Sequence, residues 1–183
     1  MRNIIIALLF INYFGYSQND TDKKLQLGVS YSLMNEETLF NNPFSMYANY
    51  EIKQWDNIGI NVGLKTFYFS TKESSYLSDK WGFNPNISGS YYFKNTKLNS
   101  YFAIGYYYDS FETEATIIGT AINPKRNIKT NGMTLASGMK YFVHSNFFID
   151  ANLSLFFTKI KDEYYRTETG TNTLLNVGVG VTF

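Results

Sequence analysis

The chain has 183 residues, enough for one domain and too few for two comfortable ones. A formal charge of +1 gives no electrostatic case for nucleic acid, and the absence of cysteine excludes a disulfide scaffold, a Cys-based zinc site and a lipid-modified N-terminal Cys. The outlier is aromatic content, 19% with 16 Tyr and 16 Phe, which suits surfaces that are half apolar and half wet.

Met1-Arg2 supplies a positive n-region, and Ile4 to Ile11 is an unbroken apolar run. Gly15 and Ser17 then sit three and one positions before Gln18, the spacing that a signal peptidase needs. The apolar run is far short of the roughly 20 residues of a transmembrane helix. The expected organisation is a cleavable signal peptide over 1–17 and one domain over 18–183. Loss of Arg2 with the leader takes the formal charge from +1 to zero.

From Lys24 onward, period-two alternation recurs eight times, a β signal that no amphipathic helix would give. Leu25, Leu27, Val29, Tyr31 and Leu33 interleave with Gln26, Gly28, Ser30 and Ser32. Met46, Ala48, Tyr50 and Ile52 oppose Tyr47, Asn49, Glu51 and Lys53, and Ile58, Ile60, Val62 and Leu64 oppose Gly59, Asn61, Gly63 and Lys65. The fourth stretch is weaker, with Ile87, Tyr91 and Phe93 facing away from Asn84, Asn86, Ser88 and Ser90. Pro85 reads as its ragged start, since proline cannot donate to a ladder. Phe102, Ile104, Tyr106 and Tyr108 mark the fifth, and Met133, Leu135, Met139 and Tyr141 the sixth, with Lys140 on its other face. In the seventh, Phe147, Ile149, Ala151, Leu153, Leu155 and Phe157 oppose Asp150, Asn152 and Ser154. The eighth sets Leu175, Val177, Val179, Val181 and Phe183 against Asn176, Gly178, Gly180 and Thr182.

The connections alternate in length. Short ones fall around Gln54–Asn57, Lys94–Asn99 and His144–Asn146; long ones span Met34–Pro43, Ser70–Trp81, Phe111–Thr130 and Lys159–Asn172. Short turns on the periplasmic side and long loops outside are the pattern of an up-and-down outer-membrane barrel. An even strand count puts both ends of the barrel domain on the periplasmic side.

A secreted lipocalin-like barrel also has eight strands, so the two faces decide the environment. Here the polar face is mostly Gly, Ser, Ala, Asn and Thr, suited to the crowded inside of an eight-stranded barrel. The opposite face is continuous Leu, Ile, Val, Met, Tyr and Phe, which a water-facing surface would not tolerate. Two aromatic girdles are expected at the interfaces: Phe93, Phe102, Tyr141, Phe147 and Phe183 below, and Tyr31, Tyr68, Tyr106, Tyr108 and Phe157 above. The expected fold is all-β, an eight-stranded antiparallel up-and-down transmembrane β-barrel in the cell outer membrane.

On the terminal run Leu175, Val177, Val179, Val181 and Phe183, the chain resembles the small eight-stranded outer-membrane proteins of the OmpA transmembrane-domain, OmpX and OmpW kind. The leader ending Gly15-Tyr16-Ser17-Gln18, with the Asn, Lys, Ile and Tyr bias, is similar to those of the Bacteroidota. The resemblance implies that Val177, Val179, Val181 and Phe183 act as a signal read by the β-barrel assembly machinery. It carries no active site.

Inward charges are the most informative polar positions: Glu51 with Lys53, Lys65, Asp109, Lys140 and Asp150. Counting back from the His144–Asn146 turn sets Lys140 across from Asp150 inside, with Tyr141 opposite Ile149 outside. An unpaired charge inside a narrow barrel is expensive, so Glu51, Lys65, Lys140 and Asp150 are expected to form a lumen polar network. That network is either a structural plug or a gate. His144 with Ser145 is a hydrolase-like pair, but it lies in a turn on the periplasmic side, away from the outer leaflet. One His and no Cys leave no ligand set for a transition metal, and no cofactor or catalytic residue is expected.

Loop charges, among them Lys80, have mixed signs and make a solvated surface. The longest loop contains the apolar stretch Ala115–Ile122, which would either extend a β-hairpin beyond the membrane or form a hydrophobic entrance at Ile117–Ile122. The leading expectation is a monomeric, non-enzymatic barrel, in contact with outer-membrane lipid, whose loops serve envelope integrity or surface contact. The alternatives are a narrow channel for small apolar molecules and, last, an outer-leaflet lipid hydrolase.

Overall fold

The computed structural model describes residues 25–34, 40–72, 78–114, 125–162 and 167–183. The leader and the Ile117–Ile122 stretch lie outside them. Eight strands follow one another along the chain: β1 (Leu25–Met34), β2 (Phe44–Trp55), β3 (Ile58–Phe69), β4 (Lys80–Tyr92), β5 (Leu98–Glu114), β6 (Lys125–His144), β7 (Phe147–Asp162) and β8 (Glu168–Thr182). Each pairs antiparallel with its neighbours, and β8 pairs with β1 to close the barrel. Closure leaves no strand edge unpaired within the ring, the condition for crossing hydrocarbon with strands. Among the described residues no helix is long and apolar enough to cross a membrane.

The alternation read from the sequence is the alternation of faces. Along β7, Phe148, Asp150, Asn152, Ser154, Phe156 and Thr158 are buried while Phe147, Ile149, Ala151, Leu153 and Phe157 are exposed. The outward apolar residues run round the ring in register, as in Val62, Ile87, Ile104, Leu135 and Leu155 on five successive strands. Such a belt is stable only against lipid. Tyr68 and Trp81 pack at a tilt at one end of it, ring centroids 5.0 Å apart, and Tyr91 and Phe93 meet edge to face at the other, also 5.0 Å apart.

Turn chemistry fixes the short-connection end. Asp56 and Asn95 take positive φ, 44° and 58°, a conformation that Asn and Asp tolerate better than other side chains. The turn after β2 is preceded by a bulge between Glu51 and Lys53, which leaves Ile52 without a partner on β3. The extra residue shifts the parity, so Lys53 pairs with Ile60 and is exposed, its Nζ 4.8 Å from the centre of the Trp55 ring. The expectation of an inward Lys53 is thereby corrected.

Three other expectations change. Pro85 stands well inside β4, not at its start. Its β3-side pairing with Leu64 is intact, and the ladder with β5 skips Asn84 and Pro85. A missing N–H costs only the one neighbour it would have served. Apart from β1, with 10 residues, the strands run from 12 to 20 residues, longer than the span of a bilayer requires. Their excess lies at the long-loop end, where β5 and β6 stay paired out to Glu114 and Lys125 and much of the expected loops Phe111–Thr130 and Lys159–Asn172 is strand. Finally, the inner face is not small and polar throughout. Phe67, Phe69, Tyr107, Phe156 and Leu174 form a buried cluster inside, joined by Met34 and Phe40.

Candidate functional site

The lumen is built in three levels, each defined by side chains that the strand pleat turns inward. The lowest lies above the short turns. Tyr92 donates its phenolic O–H to Glu51 Oε2, and Lys140 Nζ donates to Gln26 Oε1. Lys140 and Asp150 are directly opposed on β6 and β7, the register counted from the turn. Their hydrogen bonds nevertheless go elsewhere. Asp150 accepts from Tyr101 Oη at 2.9 and 3.2 Å and from Asn152 Nδ2 at 3.4 Å. The ammonium of Lys140 lies 5.0 Å from the Tyr101 ring centre and 5.2 Å from that of Phe148. Aromatic faces take the part of a second ligand shell for a cation removed from water.

The small residues that the sequence puts on the inner face make room for these rings. A Cβ at Gly28 would meet the Tyr47 ring, and one at Gly180 would meet Phe148. The large inward residues thus stand opposite glycines on the neighbouring strand, since Gly28 pairs with Tyr47 and Phe148 with Gly180.

The middle level turns on Asn176, which is fully buried. Its Oδ1 accepts from Ser32 Oγ at 2.6 Å and from Lys65 Nζ at 3.0 Å. Its Nδ2 donates to Asn152 Oδ1 at 2.8 Å and Ser154 Oγ at 3.1 Å. Both ends of one amide are therefore used, and the hydrogen-bond pattern fixes which end is which. Beside this level a cavity of about 50 Å³ is lined by Lys65, Asn84, Tyr101, Thr134 and Asp150 among others. Of the four residues singled out from sequence, Lys65 and Asp150 share this cavity and are linked through Asn176 and Asn152, Lys140 stands opposite Asp150, and Glu51 bonds to Tyr92. Asn176 was missed because nothing in its own strand distinguishes it from the other inward Asn residues.

The outer level is aromatic. Phe67, Tyr107 and Phe156 meet edge to face, with centroids 5.2 to 6.0 Å apart. Above them Lys80, read from sequence as a solvated loop charge, points inward with only 11% of its side chain exposed. Its Nζ bonds to Asp109 Oδ2 at 2.6 Å and lies 4.7, 4.9 and 4.9 Å from the ring centres of Phe40, Phe69 and Phe111. Asp109 Oδ2 also accepts from Tyr107 Oη at 2.6 Å. The sequence signal for it was parity: Lys80, Gly82 and Asn84 share a face of β4, and Asn84 is inward. A second cavity, of about 120 Å³, opens beside this ion pair.

His144 and Ser145 sit exposed at the β6–β7 turn, with Ser145 Oγ 3.2 Å from His144 Nδ1 and bonded to Asn146 Oδ1 at 2.9 Å. Among the described residues no three His, Asp or Glu side chains group to hold a metal.

No protein-family model and no curated protein matches the sequence. Solved structures do resemble it. Ail, the attachment invasion locus protein of Yersinia pestis, is 16% identical over 88% of this chain and 97% of its own, with a TM-score of 0.58. Neisserial surface protein A is 16% identical over 87% and 96%, with a TM-score of 0.53. The N-terminal β-barrel domain of Pseudomonas aeruginosa OprF is 13% identical over 88% and 98%, with a TM-score of 0.53. The chain has the fold of the small eight-stranded outer-membrane β-barrels.

Proposed function

We propose that the chain is a monomeric, non-enzymatic barrel seated in the outer membrane, with a lumen plugged by its own side chains and loops that serve envelope integrity or surface contact. The observation that carries this reading is the tier formed by Lys140 with Gln26, Tyr101 and Phe148, stacked under the Lys65–Asn176–Ser32 junction. An ion crossing the barrel would have to break charge-assisted bonds at both levels within a low-dielectric wall. Most of this network joins strands distant in sequence, such as β1 to β6 and β3 to β8, so it also braces the ring against collapse.

Val177, Val179, Val181 and Phe183 fit the role of the assembly signal. Val177 and Val179 face outward on β8, and the backbone of Phe183 is bonded both ways to Leu25, at 2.8 and 3.3 Å. Deleting Phe183 then slows insertion into bilayers containing the assembly machinery more than it lowers the stability of the inserted barrel.

Single-channel recording of the full chain in planar bilayers tests the plug. The expected trace has no steady open level. A steady conductance that disappears when Lys140 and Asp150 are both replaced by Leu would overturn the reading in favour of a narrow channel. A lipid-hydrolysing activity abolished by His144→Ala and Ser145→Ala would overturn the non-enzymatic part.

A further inference from the structure

We propose that the outer half of the lumen is a binding site for a small neutral molecule with one aromatic ring and one hydrogen-bond donor, a single-ring phenol in chemical class. The inference goes beyond the plugged-barrel reading and needs no conduction, because the cavity lies wholly in the outer half of the lumen.

Size comes first. The cavity beside the Lys80–Asp109 pair holds about 120 Å³. A dry apolar cavity of roughly 150 Å³ accepts benzene, so one ring is the scale of occupant. Its walls are preformed and mostly apolar: Phe69, Phe156 and Leu174 are buried members of one packed cluster with Met34 against it, while Thr130, Thr158, Asn172 and Thr173 add hydroxyl and amide groups to the lining. Edge-to-face geometry already holds Phe156 against Phe67 and Tyr107.

Polarity comes next. Asp109 lines the cavity and is 1% exposed. Its Oδ2 is used twice, by Lys80 and by Tyr107, whereas its Oδ1 is buried with no hydrogen-bond partner. A buried carboxylate oxygen left unpaired is costly, and a ligand O–H or N–H relieves that cost. The matching group is a donor, because an ionised carboxylate oxygen can only accept. The occupant is neutral for a related reason. Lys80 and Asp109 already cancel inside an aromatic shell, and a further charge there would be unbalanced.

The experiment uses the full chain folded in detergent micelles, with phenol and toluene as probes of equal size that differ in the donor. The methyl resonances of Met34 and Ile160, which also line the cavity, report occupancy. The expected result is saturable binding of phenol about tenfold or more tighter than toluene, the worth of a hydrogen bond to a charged acceptor. Leu174→Phe, which fills the cavity, should abolish the saturable shift in a barrel still shown folded by its heat-modifiable band. The pair Lys80→Met with Asp109→Leu should bring phenol down to the affinity of toluene. Equal affinities, shifts that rise linearly as partitioning into detergent gives, or binding that survives Leu174→Phe would each overturn the proposal.

Discussion

The lower and outer halves of the lumen fill the same ring in opposite ways. Below, charges are dispersed: Glu51, Lys140 and Asp150 each bond to a neutral partner, Tyr92, Gln26 and Tyr101 respectively. Above, one cation and one carboxylate bond directly to each other within a shell of phenyl rings. The lower solution distributes hydrogen bonds over many strands and leaves little free volume. The outer one relies on ring packing, and it is there that the larger of these two lumen cavities lies. Polar networks specify geometry bond by bond, whereas aromatic clusters tolerate vacancies at their margins.

The contrast can be broken from below. Asp150→Leu takes the facing carboxylate from the buried ammonium of Lys140 and the acceptor from Tyr101 Oη, and should cost about 3–5 kcal/mol in denaturant unfolding of the inserted barrel. The double variant Lys140→Met with Asp150→Leu should recover most of that loss, because both charges leave together. Recovery absent in the double variant would mean that packing, not charge, dominates this level.

In the outer half, ring packing should outweigh charge. Phe67 is fully buried and touches Phe69, Tyr107 and Phe156, so Phe67→Ala should cost about 3 kcal/mol. Hydrogen exchange should report that loss on the outer ends of β3, β5 and β7 while the turn-side ends keep their protection. A smaller effect follows at Gly28, whose added Cβ would press on Tyr47. Gly28→Ala should cost about 1–3 kcal/mol by overpacking, read from the unfolding midpoint.

The smallest effect belongs to the surface next to the outer mouth. Asp79 accepts from Tyr68 Oη at 2.5 Å and from the Thr71 backbone N–H at 2.9 Å. These bonds, the Tyr68 one first, hold its carboxyl below the usual aspartate value of 3.8. A depressed acid adds stability that is fully present above its unfolded value and is lost as pH falls through the folded one. Anchoring of Thr71 should therefore persist at neutral pH and weaken only below 3.8. Amide exchange at Thr71 measured down that range checks it, and loosening near neutral pH would contradict the assignment.

Strands, their order and their faces were legible because a half-buried strand writes its environment at every second residue. Lys140 opposite Asp150 was legible too, since a tight turn fixes register by counting. Lys53 was misread because a bulge is invisible to parity until the partner strand is seen. Lys80 was misread because a charge next to a long loop looks solvated, although Gly82 and Asn84 carried the same parity further along β4. The inward rings of Phe67, Phe148 and Phe156 were hidden by strong alternation of apolar residues on the other face. Asn176 acquires its role from Lys65 and Ser32, which lie more than a hundred residues away in sequence.

The central claim is that the outward apolar face meets lipid from one interface to the other. The chain carries two Trp residues, one near each end: Trp55 and Trp81, both outward and about half exposed (49% and 47%). Fluorescence quenching by lipids brominated at graded depths, set against quenching by aqueous iodide, tests the claim directly. Both residues should be quenched most strongly by shallow brominated lipids, with iodide applied from one side reaching only Trp81 or only Trp55. Free quenching of both by iodide from one side, with no response to brominated lipid, would contradict it.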